Sequence, residues 1–308
     1  MTLNASHAMA TLKSNGRTFY FASHLLGSTY RIRAARLYAF CRYVDDLADE
    51  SEDPVLAKLS LDKLQESLRN GHSDQDCVAS MIALMKELSM PSEPVLALIK
   101  GVQSDLTTRR IKDQAELLGY SYQVAGTVGL MMCMALDVRD VNAWPFAIDL
   151  GIAMQLTNIA RDVGEDARKG RVYLPSTWLK GLTAAQIAHP DIENAKTLQL
   201  ATQQTLNLAE TYYQSGLDGI HYLPGAARYG IVVAAMVYRE IGQLIAQDNF
   251  HSWDRRAVVP AWRKLTCATG ALSRYALRRL STQQQAAHDP RLHQDLQNCF
   301  GAHMTNKA

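Results

Sequence analysis

The sequence predicts an all-α fold. Three observations carry that expectation. Apolar residues recur at steps of three and four along most of the chain, alternating strands with hairpin turns are absent, and the periodic stretches are separated by short clusters of turn residues. From Arg33 to Asp49, the residues Leu37, Phe40, Cys41, Val44 and Leu47 mark one face of a helix. The same period predicts helices near 55–70, 76–89, 93–109, 113–136, 142–168, 193–217, 225–248 and 258–282. Breaks fall at Ser51-Glu52-Asp53-Pro54, Asn70-Gly71-His72-Ser73, Met90-Pro91-Ser92 and Leu223-Pro224-Gly225. None of them is a flexible linker and no repeat of fixed period is present. The expectation is therefore one all-α domain over 1–284, followed by a polar tail, 285–308, that frays.

Composition narrows the functional classes. The chain of 308 residues is 47% hydrophobic and 20% charged, an ordinary globular balance. Its formal charge of +2 gives no support to a nucleic-acid partner. No uninterrupted apolar run is long enough to span a bilayer, and the first residues lack a basic-then-apolar leader pattern, so a cytoplasmic protein is expected. The five cysteines (Cys41, Cys77, Cys133, Cys267 and Cys299) form no CxxC pair, and the nine histidines form no HExxH. Zinc is not expected, and any metal must be held by carboxylates.

Two acidic stripes carry the chemistry. In VDDLADE, Asp45 and Asp49 are four apart and stack on one helix face, with Asp46 beside them and Arg42 three residues before Asp45. In QLTNIARDVGED, Gln155, Asn158, Asp162 and Asp166 form a polar stripe on a helix otherwise lined by Ile152, Leu156, Ile159 and Val163. Like charges four apart destabilise a helix by a few tenths of a kcal/mol. One such cluster alone reads equally well as a solvated acidic face. Two of them inside apolar helices ask for compensation by divalent cations. Mg²⁺ prefers oxygen ligands and takes carboxylates together with waters and substrate phosphates, so a diphosphate between the stripes is implied. Arg42, Arg161 and Arg171 flank the stripes and suit the grip of phosphate oxygens, whereas Arg31, Arg33 and Arg36 read as ordinary surface charge.

Between the stripes lies LLGYSYQVAGTVGLMMCMALDV. Glycine inside a helix costs about 1 kcal/mol against alanine, so Gly119, Gly126 and Gly129 need a reason. Close helix packing is one. A kinked helix lining a cavity for a long apolar chain is the other, and the sharper. Ala22, Ala125, Gly126, Gly129 and the run Met131–Met134 are then candidates for the cavity floor, which substituting Phe at Gly129 or Ala125 should shorten.

At these residues the chain resembles the phytoene/squalene synthase family. The likeness runs from about Arg17 to Leu265 and rests on TFYFASHLL, LYAFCRYVDDLADE, GYSYQVAGTVG, QLTNIARDVGEDARKGRVYLP and RRAVVPAWRKL, in that order. The resemblance implies an isoprenoid synthase helical bundle around a deep central cavity. Asp45, Asp46 and Asp49, with Asn158, Asp162 and Asp166, would hold Mg²⁺ (Mn²⁺ able to substitute) at its mouth. Arg42, Arg161, Arg171 and Arg256 match positions on the diphosphate side. Gln155, Tyr120, Tyr173 and Tyr238 match cavity positions, and Phe19 matches the aromatic residue of the first segment. Among these, Asp45, Asp49, Asp162, Asp166, Tyr120 and Tyr238 are the residues implied in catalysis, the tyrosines with Phe19 through stabilisation of carbocations. Gly16 departs from the serine that some relatives carry three residues before that Phe, and Thr18 is the neighbouring hydroxyl.

The implied reaction joins two allylic diphosphates head to head through a cyclopropyl diphosphate and releases diphosphate. Two geranylgeranyl diphosphates would give phytoene without NADPH. The alternatives are a thirty-carbon synthase acting on farnesyl diphosphate to give dehydrosqualene, presqualene diphosphate or squalene, and a non-catalytic assembly factor of the same fold. Greasy substrates and product also imply transient contact with a membrane surface, on its inner face. The stretch carrying Val258, Val259, Trp262 and Leu265 among Arg255, Arg256, Arg263 and Lys264 is the candidate, against its reading as a core-packed helix with basic flanks.

Overall fold

The structure is a computed structural model that describes residues 5–51, 53–280 and 287–303. Six helices make the first third: α1 (Ala5–Asn15), α2 (Arg17–Ser23), α3 (Ser28–Asp49), α4 (Pro54–Asn70), α5 (Asp76–Leu88) and α6 (Glu93–Gln103). The remainder are α7 (Gln114–Ser121), α8 (Thr127–Ala135), α9 (Trp144–Arg161), α10 (Val163–Arg168), α11 (Ser176–Leu179), α12 (Ala184–Ala188), α13 (Ile192–Asp218), α14 (Gly225–Gln247) and α15 (Ala261–Leu280). Among the described residues the sole β pairing is an isolated bridge between Arg110 and Val172.

Local chemistry sets several boundaries. The Asp53 carboxylate accepts from the Val55 amide and Pro54 opens α4, which closes on Gly71 at φ 68°. Asp191 caps α13 through the Asn194 amide. Pro260 holds the start of α15 to Ala261, three residues later than the periodicity suggests, and residues 281–282 of that expected helix lie outside the described residues. Three expected helices are broken. The stretch 93–109 stops at Gln103 and passes into a 3₁₀ turn, Ser104–Leu106. The stretch 113–136 is interrupted by a π turn, Tyr122–Gly126, and 142–168 breaks at Asp162. Period alone carries no trace of a break that leaves the apolar face in phase.

α9 is the central helix. It packs along α13 on one side and against α8, the π turn and α14 on others. Its approach to α8 and to the π turn needs glycine, since a Cβ on Gly129 would lie 2.1 Å from the Ala147 carbonyl oxygen, and one on Gly151 would lie 2.2 Å from that of Ala125. Leu37, Phe40 and Val44 of α3 are fully buried. Each contributes about 1.5–3 kcal/mol of burial free energy to seating the first acidic stripe. α14 is long and apolar enough to cross a membrane, yet here it packs against α2, α9, α13 and α15.

Two expectations are corrected. Arg33 and Arg36 are not ordinary surface charges. Arg33 pairs with Glu87 at 2.7 Å and Asp137 at 2.9 Å, and Arg36 pairs with Glu87 at 3.1 Å and donates to the Ser80 carbonyl, tying α3 to α5. The polar tail does not fray where it is described. In residues 287–303, His293, Leu296 and Ala302 are buried against the bundle. The other residues of that tail, 285–286 and 304–308, lie outside the described residues.

Candidate active site

Helical spacing aims the stripes, and the bundle brings them together. α3 carries Asp45 and Asp49 to one wall of a polar cavity of 290 Å³, and the end of α9 and start of α10 carry Gln155, Asn158, Arg161, Asp162 and Asp166 to the other. Although the helix breaks at Asp162, the Asp162 amide still donates to Asn158 and the Asp166 amide to Asp162, so the stripe stays in line. Arg171 spans the cleft and pairs with Asp49 at 3.0 Å. Arg161 pairs with Asp162 at 2.5 Å, and Arg256 reaches the same carboxylate at 2.9 Å from the loop after α14. That loop is seated on α10, where a Cβ at Gly164 would fall 1.8 Å from the Trp253 carbonyl oxygen.

Three expected site residues stand off the lining. Arg42 pairs with Asp46 on the outer flank of α3, and neither lines a cavity, while Arg256 touches the site only through Asp162. Two residues went unnoticed in the sequence. Asp105, in the 3₁₀ turn after α6, adds a further carboxylate to the cavity and accepts from the Tyr120 hydroxyl at 2.7 Å. Arg109 lies over the Tyr120 ring, 5.1 Å from its centroid. Both sit in SDLTTRR, at the end of the expected helix 93–109, where no acidic stripe marks them. Tyr120 stacks on Tyr173 at 5.0 Å.

The electrostatics favour a bound cation. Burial pushes Asp45 up to about 7, with Asp49, Asp46 and Asp105 adding to the shift against the pull of Arg42. Burial and the neighbouring Asp162 and Glu165 push Asp166 up to about 7 as well. The Asn158 side-chain oxygen is buried without a hydrogen-bond partner. An all-oxygen donor set with excess negative charge and an orphaned oxygen fits a hard divalent cation such as Mg²⁺.

Behind the mouth lies an apolar cavity of 310 Å³ that shares Asp45, Val124, Gln155 and Asn158 with it. Phe19 and Tyr238 line it, 5.2 Å apart by ring centroids. Ala125, Gly129, Met132 and Cys133 are also on its wall, but the rest of the expected floor is not. Ala22 packs against α14, Gly126 faces Ile148 and Ile152, and Met131 and Met134 are core. Beyond Cys133 the far end is built by Leu136, Phe146, Gly219 and Leu223. Gly129 both lines the cavity and touches the Ala147 carbonyl, so Phe there would separate α8 from α9 rather than shorten the cavity. At the departure noted at Gly16, a Cβ would lie 2.8 Å from the Tyr38 ring, and Thr18 does not line either cavity.

A polar, acid-lined mouth opening onto an apolar chamber suits a molecule with an anionic head and a long hydrocarbon chain. Residues 12–263 match the sequence profile of the squalene/phytoene synthase family. The chain belongs to this family. It is 37% identical to a phytoene synthase of Rhodobacter capsulatus over 264 residues, covering 82% of this chain and 76% of that protein. It is 34% identical to the 15-cis-phytoene synthase of Pantoea ananas, covering 93% and 95% of the two chains. The fold is shared with a dehydrosqualene synthase crystal structure at a TM-score of 0.78 and 24% identity, over 89% of this chain and 96% of that one. As a member of the squalene/phytoene synthase family, the protein is a prenyltransferase.

Proposed function

We propose that the protein joins two geranylgeranyl diphosphates head to head into phytoene, through a cyclopropyl diphosphate, and releases diphosphate without NADPH. The observation that carries this reading is the continuity of the two cavities. The acid-lined mouth and the apolar chamber share Asp45, Gln155 and Asn158 in their walls. The names of the relatives support phytoene as the product.

Asp45, Asp49, Asp162, Asp166 and Asn158 would hold Mg²⁺, with Asp46 and Asp105 close by. Bound there, the cation neutralises a diphosphate leaving group. The protein's own residues do the rest. Arg171 and Arg161, at the mouth, orient the diphosphate oxygens, and Arg256 adds charge from outside. Phe19 and Tyr238 present aromatic faces to developing carbocations in the apolar chamber, while Tyr120 and Tyr173 line the mouth. The apolar wall excludes water, which would trap those cations as alcohols. Product analysis with farnesyl and geranylgeranyl diphosphate, each with and without Mg²⁺ and NADPH, tests the reading. Phytoene from the twenty-carbon substrate is the expected result. Faster turnover of farnesyl diphosphate, or squalene formed only with NADPH, moves the protein to the thirty-carbon branch.

A peripheral, inner-face membrane contact accompanies this reading. Val258, Trp262 and Leu265 are 72%, 63% and 59% exposed, while Val259 is buried. Phe21 on α2 and Leu25 in the turn after it are exposed too. Arg255, Arg256 and Arg263 are engaged by Asp248, Asp162 and Glu240, so the contact is apolar more than basic. Trp262→Ala should weaken cosedimentation with liposomes, and unchanged binding would remove this face from consideration.

A further inference from the structure

We propose that residues 287–303 form a clasp that sets the floor of the apolar cavity, with His288 as a positioning residue that governs which chain length fits. This rests on the reading that the cavity receives prenyl chains.

The clasp has one hub. Asp149 is fully buried on α9 and accepts from His288 Nε2 at 2.8 Å, from His293 Nε2 at 2.6 Å and from the Ser215 hydroxyl at 2.5 Å. His293 Nδ1 faces the Ala302 carbonyl at 2.7 Å. Both of its nitrogens therefore meet acceptors, so both carry protons and the ring is an imidazolium paired with a carboxylate. Further bonds extend the hold along the segment. Tyr212 of α13 donates to the Leu292 carbonyl at 2.7 Å, and Tyr122 of the π turn donates to that of Phe300 at 2.9 Å.

The link to the cavity is Phe146. It lies three residues before Asp149 on α9, so the two are neighbours on one helix face. Its ring forms part of the cavity wall and meets the His288 ring edge to face at 5.2 Å. On other sides it is held by Tyr222 at 5.9 Å and by the close approach of Gly219, where a Cβ would lie 2.2 Å from the Phe146 Cβ. With His288 in place the Phe146 ring has no room to retreat, and the floor is fixed. Without the His288 ring, space opens behind it.

Two histidines and a carboxylate also suit a transition metal. A tetrahedral zinc would hold its ligand atoms about 3.3 Å apart. The observed 2.6 and 2.8 Å are hydrogen-bond separations, and every polar atom named is already satisfied. The geometry favours the clasp.

The test compares the full-length protein with His288→Ala and His288→Phe. The readouts are the ratio of kcat/KM for geranylgeranyl over farnesyl diphosphate, the Tm, and the zinc content of the purified protein. His288→Ala should raise the ratio by about tenfold, the scale of discrimination in an apolar pocket. His288→Phe keeps a ring against Phe146 but loses the donor, so its Tm should fall while the ratio stays near that of the parent. A purely structural tail would lower Tm in both variants and leave both ratios unchanged. An unchanged ratio in His288→Ala, or one equivalent of zinc that is lost in that variant, overturns the proposal. Failure of the parent to turn over either diphosphate would instead overturn the functional reading beneath it.

Discussion

The stretch from α9 into α10 carries two kinds of buried acid, and their difference separates binding from architecture. Near the start of α9, Asp149 is fully buried, yet its carboxyl lies below the usual range. Burial alone would raise it, but the hydrogen bonds from His288 and His293 outweigh that cost. In α10, Asp166 is pushed up to about 7 by burial and by its acidic neighbours. Asp45, across the mouth, is pushed up to about 7 in the same way. One carboxylate is complete within the protein, while the others await a positive partner. Burial therefore does not tell an acid's role; the donors around it do.

The largest effect should come from withholding the partner. Removal of divalent cations with excess EDTA should abolish turnover without unfolding the protein, because only the mouth is left uncompensated. Full activity under those conditions would sink the assignment of the mouth as a cation site. Next, Asp162→Ala and Asp45→Ala should each lower kcat by about 10³-fold with the helical circular dichroism retained. Near-normal turnover in either variant would show that its stripe is misassigned.

Asp149→Ala should do the opposite. Loss of this acid strands the His293 imidazolium, and stability should fall by about 3 kcal/mol in a denaturant titration. A variant as stable as the parent would erase the distinction between the two acids. The smallest effect is the response to pH. Burial opposes protonation of His293, but its bond to Asp149 prevails and its pKa lies above the ordinary 6.5. Its contribution is complete below 6.5 and is lost as pH rises through the raised value. Asp149, lowered from 3.8, contributes fully above that value and fails only as pH falls through its own lowered pKa. The clasp should accordingly be firmest between 3.8 and 6.5, with Tm declining above that window. His293→Gln should flatten the decline, and an equal decline in that variant would point to other groups.

The stripes were legible because they are local. Asp45 and Asp49, or Asn158 and Asp162, lie within a turn or two of helix, and 3.6-residue geometry alone aims them. Asp105 was invisible because it sits in a 3₁₀ turn between helices and reaches the mouth only through the packing of α6. The floor was misread for a related reason. Gly126 and Met131 lie in the same helical run as Ala125 and Met132, and which of them faces the cavity depends on the π turn at Tyr122–Gly126.

The sequence by itself determined the helical class, the two acidic stripes and the family, since all of these are written in short periodic motifs. Only the tertiary structure decided that residues 287–303 pack against the bundle, and that three dispersed residues, Asp149, His288 and His293, form one buried cluster. The physical reason is separation along the chain. A contact between residues 139 and 144 positions apart leaves no periodic signature, and it exists only once the bundle has brought α9 and α13 together to receive it.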